Sequence, residues 1–438
     1  MNAIRRIRIL ADRPFFGWWI VGGAIGIQVL VAGLVMQAYG TWVAVWQLEF
    51  GWSATVFATG FALQRGVMGL LSPLQGWVLQ RIGARAVIQV GLVILAAGFA
   101  ALASFETQAG FYGAMILMAF GIGASGFLSL TTTVVNWFER RRSSALALMQ
   151  LGVGIGGLAV PAVAWALTTY GFRTTAWASA ALVLVVGLPL SALMRRSPEA
   201  YGMHPDGDDP DDEVEPPARG ASSVRPRHDF GAREALRTRA FWLIAAGHAL
   251  AVAVMTTVTV HLVVHLTDGL GFTIQSASLI VAVMTASLMG GQLLGGVLGD
   301  RVPKRFVAAA AMAAHAFALV VVAFAPSTPW VLFFAVVHGA AWGVRGPIMQ
   351  ALRADYFGRT AFATIMGISF SFVMVGQMAG PLAAGAMADL TGDYRSAFLG
   401  AAVLMAGGAF LFLAARPPRP LSRPSGRTDA GAGRSSAS

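Results

Sequence analysis

Gly76-Trp77-Val78-Leu79-Gln80-Arg81-Ile82-Gly83-Ala84-Arg85 closes an apolar stretch. Its first six positions return 220 residues later as Gly296-Val297-Leu298-Gly299-Asp300-Arg301, followed by Lys304-Arg305. Other landmarks keep the same distance. Gly156 and Pro161 reappear as Gly376 and Pro381 at 220 residues, and Asn136-Trp137-Phe138 as Asp355-Tyr356-Phe357 at 219. Three landmarks at one spacing identify a duplicated unit. Each copy holds six apolar stretches, and an even number leaves the copies parallel, related by an axis along the membrane normal.

The composition fits such a bundle. Of 438 residues, 56% are hydrophobic and 12% charged, against about 25% charged in soluble domains. Stretches of about 20 apolar residues, enough to cross a bilayer core of ~30 Å, recur along the chain. No alternating pattern suggests a barrel. The expected class is an all-α polytopic membrane protein with spans at 18–45, 53–79, 86–104, 109–136, 144–170, 174–194, 240–267, 274–299, 306–325, 330–354, 361–388 and 394–415. Arg5, Arg6, Arg8 and Arg13 precede a run too long for a signal peptide, so 18–45 reads as a retained first helix. Trp18, Trp19, Trp42, Trp46, Trp52, Trp137 and Trp330 fall near span ends, where amphipathic rings favour the interface.

Lysine and arginine set the orientation. Arg81, Arg85, Arg140, Arg141, Arg142, Arg301, Lys304, Arg305, Arg353, Arg359 and both chain ends fall on one side. The other side holds only Arg173 and Arg395, beside Glu49, Glu106, Asp268, Asp389 and Asp393. This positive-inside pattern predicts an inner-membrane protein with both termini cytoplasmic, and it accounts for the net charge of +11 without a nucleic-acid partner. The lipid bilayer is the implied partner, with a monomer expected.

The expected domains are a six-helix half over 1–196, a cytoplasmic linker over 197–238, a second half over 239–416 and a disordered tail over 417–438. The linker holds the acidic run Asp206–Glu215 and cannot bury a core, so it reads as a mobile tether.

These landmarks resemble the major facilitator superfamily. Its loop signature, Gly-x-x-x-Asp-Arg/Lys-x-Gly-x-Arg/Lys, is matched by Gly76, Arg81, Gly83 and Arg85 and again by Gly296, Asp300 and Arg301, with Gln80 where the first aspartate is usual. The resemblance implies alternating access, and an altered latch at Gln80. Four further segments resemble the monocarboxylate-porter and oxalate–formate-antiporter branch: Phe16-Gly17-Trp18-Trp19, Glu49-Phe50-Gly51-Trp52-Ser53, Ser197-Pro198-Glu199-Ala200-Tyr201-Gly202, and His261 to Asp268 with Gly271-Phe272-Thr273. The branch's charged contacts in helices 8 and 11 have no counterpart, since 274–299 and 361–388 carry no charge.

Charge within a span costs about 2.5–3.5 kcal/mol on insertion scales, so it points to function. Arg65 and Arg345 are the cations deep in spans, and no acid lies with them. A guanidinium matches a carboxylate bidentately, so an anionic solute would supply the missing charge. His338, Trp342 and Arg345 share one helical face, and the resemblance places helices 1, 4, 7 and 10 around the cavity. Arg65 lies on a small-residue face with Gly69, Ser72 and Gly76, which also suits packing between halves. Gln28 and Tyr39 of helix 1, and Ser125, Ser129, Thr132 and Asn136 of helix 4, complete the expected polar lining. His261 and His265 align in helix 7 as candidate proton carriers, with His338 or the substrate's own carboxylate as alternatives. His315 reads as structural.

Cysteine is absent, which removes disulfides and thiolate chemistry. His261 and His265 lack a third ligand, so no metal is expected. Gly152–Gly157 is not followed by Lys-Ser/Thr and reads as helix packing. The expected function is secondary transport of a small organic anion, with a monocarboxylate first among them and proton symport as a coupling option. No enzymatic activity or cofactor is implied. Two alternatives stay open, an exporter of amphipathic drugs or metabolites and a non-transporting sensor signalling through the linker.

Overall fold

The computed structural model describes residues 15–52, 54–207 and 229–419, and their regular elements are helical throughout. The first half holds α1 (Phe16–Phe50), α2 (Ala54–Ile82), α3 (Ala84–Ser104) and α4 (Gln108–Trp137). The helical stretch Arg142–Ala192 divides at Gly171 (φ 77°, ψ 166°) into α5 (142–170) and α6 (172–192). A single residue reverses the chain there because glycine adopts positive φ without a Cβ clash. The second half holds α7 (Arg239–Thr267), α8 (Ile274–Arg301), α9 (Lys304–Ala323), α10 (Thr328–Phe357), α11 (Phe362–Thr391) and α12 (Arg395–Ala414). Among the described residues, ten stretches, counting Arg142–Ala192 once, are long and apolar enough to cross a membrane. α2 has the length, with 29 residues, but is diluted by Gln64, Arg65, Gln75 and Gln80.

The sequence repeat reappears as a packing repeat. α1 packs on α5, α2 on α4, α3 on α4 and α6; six helices on, α7 packs on α11, α8 on α10, and α9 on α10 and α12. Each half has its own apolar core, the first also taking in Ala351, Ala354, Phe362, Ala363 and Met366 from the second. The halves join along two crossed seams, α2 on α11 and α5 on α8.

Three expectations change. Trp42, Trp46 and Trp137 are buried rather than interfacial; Trp46 packs among Phe57, Phe105 and Phe111, so aromatic packing outweighs the interface there. Trp19 and Trp330 are exposed. The first helix is not uniform, since Phe16–Val31 passes into a π-helical segment, Ala32–Met36, before Tyr39–Phe50. Gly33 of that segment presses on the Gly156 backbone of α5.

The linker's described ends are docked. Asp206 accepts the backbone N–H groups of Glu139, Arg140 and Arg141 at 2.9, 2.7 and 3.1 Å. Asp229 accepts Thr360 N–H at 3.2 Å, and Phe230 is buried in the second core. Residues 208–228, the four N-terminal arginines and 420–438 of the tail lie outside the described residues.

Candidate functional site

The helix ends bearing Arg81, Arg85, Arg140–Arg142, Arg301, Lys304, Arg305 and Arg359 form a basic face, and the halves are latched there. Asp300 accepts N–H from Ser143 (2.8 Å) and Ser144 (3.1 Å) at the start of α5. A carboxylate at a helix N-terminus meets free N–H groups and the positive end of the dipole. Gln80 holds the related place on the other seam. It donates to the Thr360 carbonyl at 2.5 Å and accepts the Thr364 hydroxyl, so an amide replaces the acid and the latch persists. Gly76 and Gly296 let the seams close, against the Ala363 backbone and against Ser144 and Ala147 respectively. Arg81 stacks on Trp77 at 4.1 Å, Arg85 and Arg301 are exposed, and Gly83 (φ 86°) makes the turn into α3.

Proline extends the seam inward. Pro73 has no N–H for the Gly69 carbonyl, which instead accepts the Ser371 hydroxyl of α11 at 2.9 Å. Ser72 donates back to Gly367 at 2.8 Å. Beyond this level the halves part. Continuing each contact row away from the basic face reaches Ala62, Leu158, Thr285 and Met378, all exposed, with Leu158 at 74%. A crevice therefore opens toward the face opposite the basic one.

Arg345 lies beside the innermost inter-half approach, where Gly346 faces the Gln150 side chain. Its position twelve residues before the end of α10 sets it about 18 Å deep. It is 3% exposed, and Nη2 reaches Met255 Sδ of α7 at 3.0 Å. Nε and Nη1 have no hydrogen-bond partner among the described residues. A buried guanidinium held by one thioether is short of counter-charge. Trp342, one turn earlier, is partly buried.

Arg65 stands on the first half's wall. Its guanidinium lies 4.8 Å over the Phe61 ring, which packs on Tyr39 at 5.0 Å. Tyr39 donates to the Phe57 carbonyl at 2.7 Å, and Arg65 Nε is unpartnered among the described residues. Gln28 is buried against Gly152, its Nε2 likewise unpartnered.

The other expected residues are spread apart. Ser129 is fully buried and donates to Ala124 O at 2.6 Å, where α4 is interrupted at Gly126 (φ −92°, ψ −143°). Asn136 sits in the basic-face latch, donating to Arg196 O and accepting from Arg359. It lines a cavity of about 270 Å³ with Gln80, Glu199, Asp229 and Arg359, not the crevice. His338 turns from Arg345 toward His315 of α9. His261 donates to Pro381 O at 3.0 Å and His265 to Val322 O at 3.2 Å, so both point at neighbouring helices.

Sequence reasoning missed a set of buried amides and the burial of Arg353. Gln150 Nε2 and Gln292 Oε1 are buried and unpartnered among the described residues, one on each helix of a seam. Their signal was a lone glutamine within an apolar stretch. Arg353, expected on the basic face, is 2% exposed inside the second half. It donates to Ser369 Oγ (2.8 Å), His248 Nδ1 (2.9 Å) and Met349 O (2.9 Å).

Twelve helices among the described residues, in two repeated halves latched at one face and parted at the other around buried cations, define a membrane carrier. The chain belongs to the Major Facilitator Superfamily, whose profile it matches over residues 25–291 and again over 244–437. It is 29% identical to human monocarboxylate transporter 11 over 91% of this chain and 82% of the relative. Its fold is similar to the human organic anion transporter MFSD10 (TM-score 0.69, 15% identity, 92% of this chain and 100% of that one). It is also similar to the E. coli fucose:proton symporter FucP in its outward conformation (TM-score 0.68, 16% identity, 90% and 98%). These relatives are transporters, not enzymes.

Proposed function

We propose that the chain is a secondary transporter of a small organic anion, a monocarboxylate, working by alternating access with proton symport. The observation that carries this is Arg345, a guanidinium buried at the crevice floor with two nitrogens unpartnered among the described residues. A carboxylate would fill both valences with paired N–H···O bonds, and Gln150 and Gln292 stand ready to meet a second polar group. The names of relatives point the same way, to monocarboxylates and organic anions.

The basic face is the cytoplasmic one on this reading, as the positive-inside pattern requires. The conformation is then outward-open, and transport needs the latch of Gln80, Asp300 and Arg142 to release while the outer crevice closes. Arg65, above Arg345 on the opposite wall, would draw the anion inward.

The test is uptake of labelled lactate, pyruvate, formate and oxalate into proteoliposomes, with and without an acid gradient. Arg345→Ala should abolish saturable uptake of whichever acid is carried. Unchanged affinity in that variant would remove the anion site from Arg345.

A further inference from the structure

His315 of α9 and His338 of α10 face each other within the second half, Nδ1 to Nδ1 at 3.1 Å, with ring centroids 4.4 Å apart. Both are fully buried. Two ring nitrogens at this distance need one donor and one acceptor. In the neutral pair, one ring donates through Nδ1–H and keeps a bare Nε2. The other accepts at Nδ1 and carries its proton on Nε2. Neither Nε2 has a partner among the described residues. A packing role does not explain this, because buried polar atoms are normally satisfied and apolar side chains would fill the space without that cost. The bare Nε2 can take one further proton without either ring moving, giving an imidazolium bonded to an imidazole.

The surroundings decide what must accompany that proton. Arg345 follows His338 by seven residues on the same face of α10, about 10 Å nearer the basic face. Arg353, further along α10, is bonded to His248 of α7 and Ser369 of α11. His261 and His265 of α7 are bonded to carbonyls. α8 between Gln275 and Gly299, and α12 between Ser396 and Ala414, carry no ionisable residue. On α9, Lys304 is paired with Asp355, and Arg305 lies with it at the basic end. Arg395, at the other end of the bundle, donates to Ala323 O. A proton on the pair thus adds a second positive charge near Arg345, with no carboxylate among the described residues beside it to balance the two.

We infer that the His315–His338 pair is the proton-binding site of this carrier, loaded together with the anion at Arg345. One proton passes from water to the free Nε2 and one carboxylate to the guanidinium, so the two ligands together add no net charge. The inference rests on the anion reading above. Along α10, His338 lies about 10 Å further from the basic face than Arg345, on the side where the halves part.

The experiment compares wild type, His315→Gln and His338→Gln in proteoliposomes, using whichever of the four acids wild type carries. Equilibrium exchange at equal pH, gradient-driven accumulation and proton entry by a trapped pH dye are read together. The expected result is at least a tenfold fall in the ratio of gradient-driven accumulation to exchange in both variants. Exchange with an unchanged proton-to-anion ratio in either variant would overturn the pair while leaving the anion site standing. Absence of exchange in wild type would sink the anion reading, and the pair with it. If the variants fail to fold, ¹⁵N-histidine spectra of wild type decide: a new imidazolium signal on adding the acid supports the pair, and none refutes it.

Discussion

Arg142 at the start of α5 donates from Nη1 to Asp355 Oδ1 near the end of α10 at 2.7 Å, tying the two halves together. Asp355 Oδ2 lies 2.6 Å from Lys304 Nζ, so one carboxylate serves two buried cations. Asp355→Asn strands both. Removing one partner of a buried ion pair costs about 3–5 kcal/mol, so a large fall in thermal stability in detergent is expected. Arg142→Ala with Asp355→Ala should lose less than the sum of the single changes, as a double-mutant cycle would read. Additive losses would mean that the contact is not formed in solution.

Gln80 gives a prediction against the usual family pattern. Its Nε2 donates to the Thr360 carbonyl, which a carboxylate cannot do. Restoring the aspartate by Gln80→Asp should therefore weaken the latch, by about 1–3 kcal/mol for the carbonyl left facing an anion. The chain has no cysteine, so a single Ala282→Cys, exposed on α8 one turn beyond Thr285, reports the open crevice without background. Labelling of that thiol by an impermeant maleimide should fall in the Gln80→Asp variant, and a rise would contradict the assigned geometry.

Pro73 offers a test of the seam itself. Pro73→Ala returns an N–H to compete for the Gly69 carbonyl that Ser371 now uses. Ser371→Ala alone should shift maleimide labelling at Ala282→Cys, whereas adding it to Pro73→Ala should have a smaller effect. Equal effects in the two backgrounds would show the proline to be incidental.

Glu199 bridges the linker to Arg359 at 2.9 Å. Burial opposes its charge, but hydrogen bonds from its own backbone N–H, Ser197 and Arg359, with the attraction of Arg359, hold its carboxyl below the usual range. A lowered folded-state value means that the contribution is present above the unfolded-state value and is lost as pH falls through the folded one. The bridge should therefore be insensitive to pH between about 5 and 8, above the ordinary glutamate range. Glu199→Gln should leave the pH profile of transport unchanged in that window, and an altered profile would refute the sign.

The helix inventory and the repeat were legible because apolar length and equal spacing are properties of the chain alone. The π-helical segment in α1 and the break at Gly126 were not, because each depends on a neighbour or on a local backbone choice. The site was legible in its charges but not in its directions. Spacing put His338 on the face of Arg345, and spacing is silent on which helix that face meets. His338 meets α9, while His261 and His265 meet α11 and α9. Gln150 and Gln292 escaped because the residues one turn either side of each are apolar or glycine, so no polar stripe marks the face.

Arg345→Lys separates charge from shape. The ammonium keeps the positive charge that would attract an anion but loses the planar fork and the Nη2 contact with Met255. If electrostatic attraction alone held the solute, lysine would serve nearly as well as arginine. If the carboxylate is gripped by two parallel N–H bonds, lysine forfeits one of them. A charge-assisted hydrogen bond contributes about 1.5–3 kcal/mol, so apparent affinity should fall about tenfold or more. The maximal rate should fall less, because the charge balance that permits the halves to rock is kept. Uptake kinetics of Arg345→Lys beside Arg345→Ala would read this directly. An affinity in the lysine variant equal to wild type would leave Arg345 as a field source, and the grip would have to come from Arg65 or the amides.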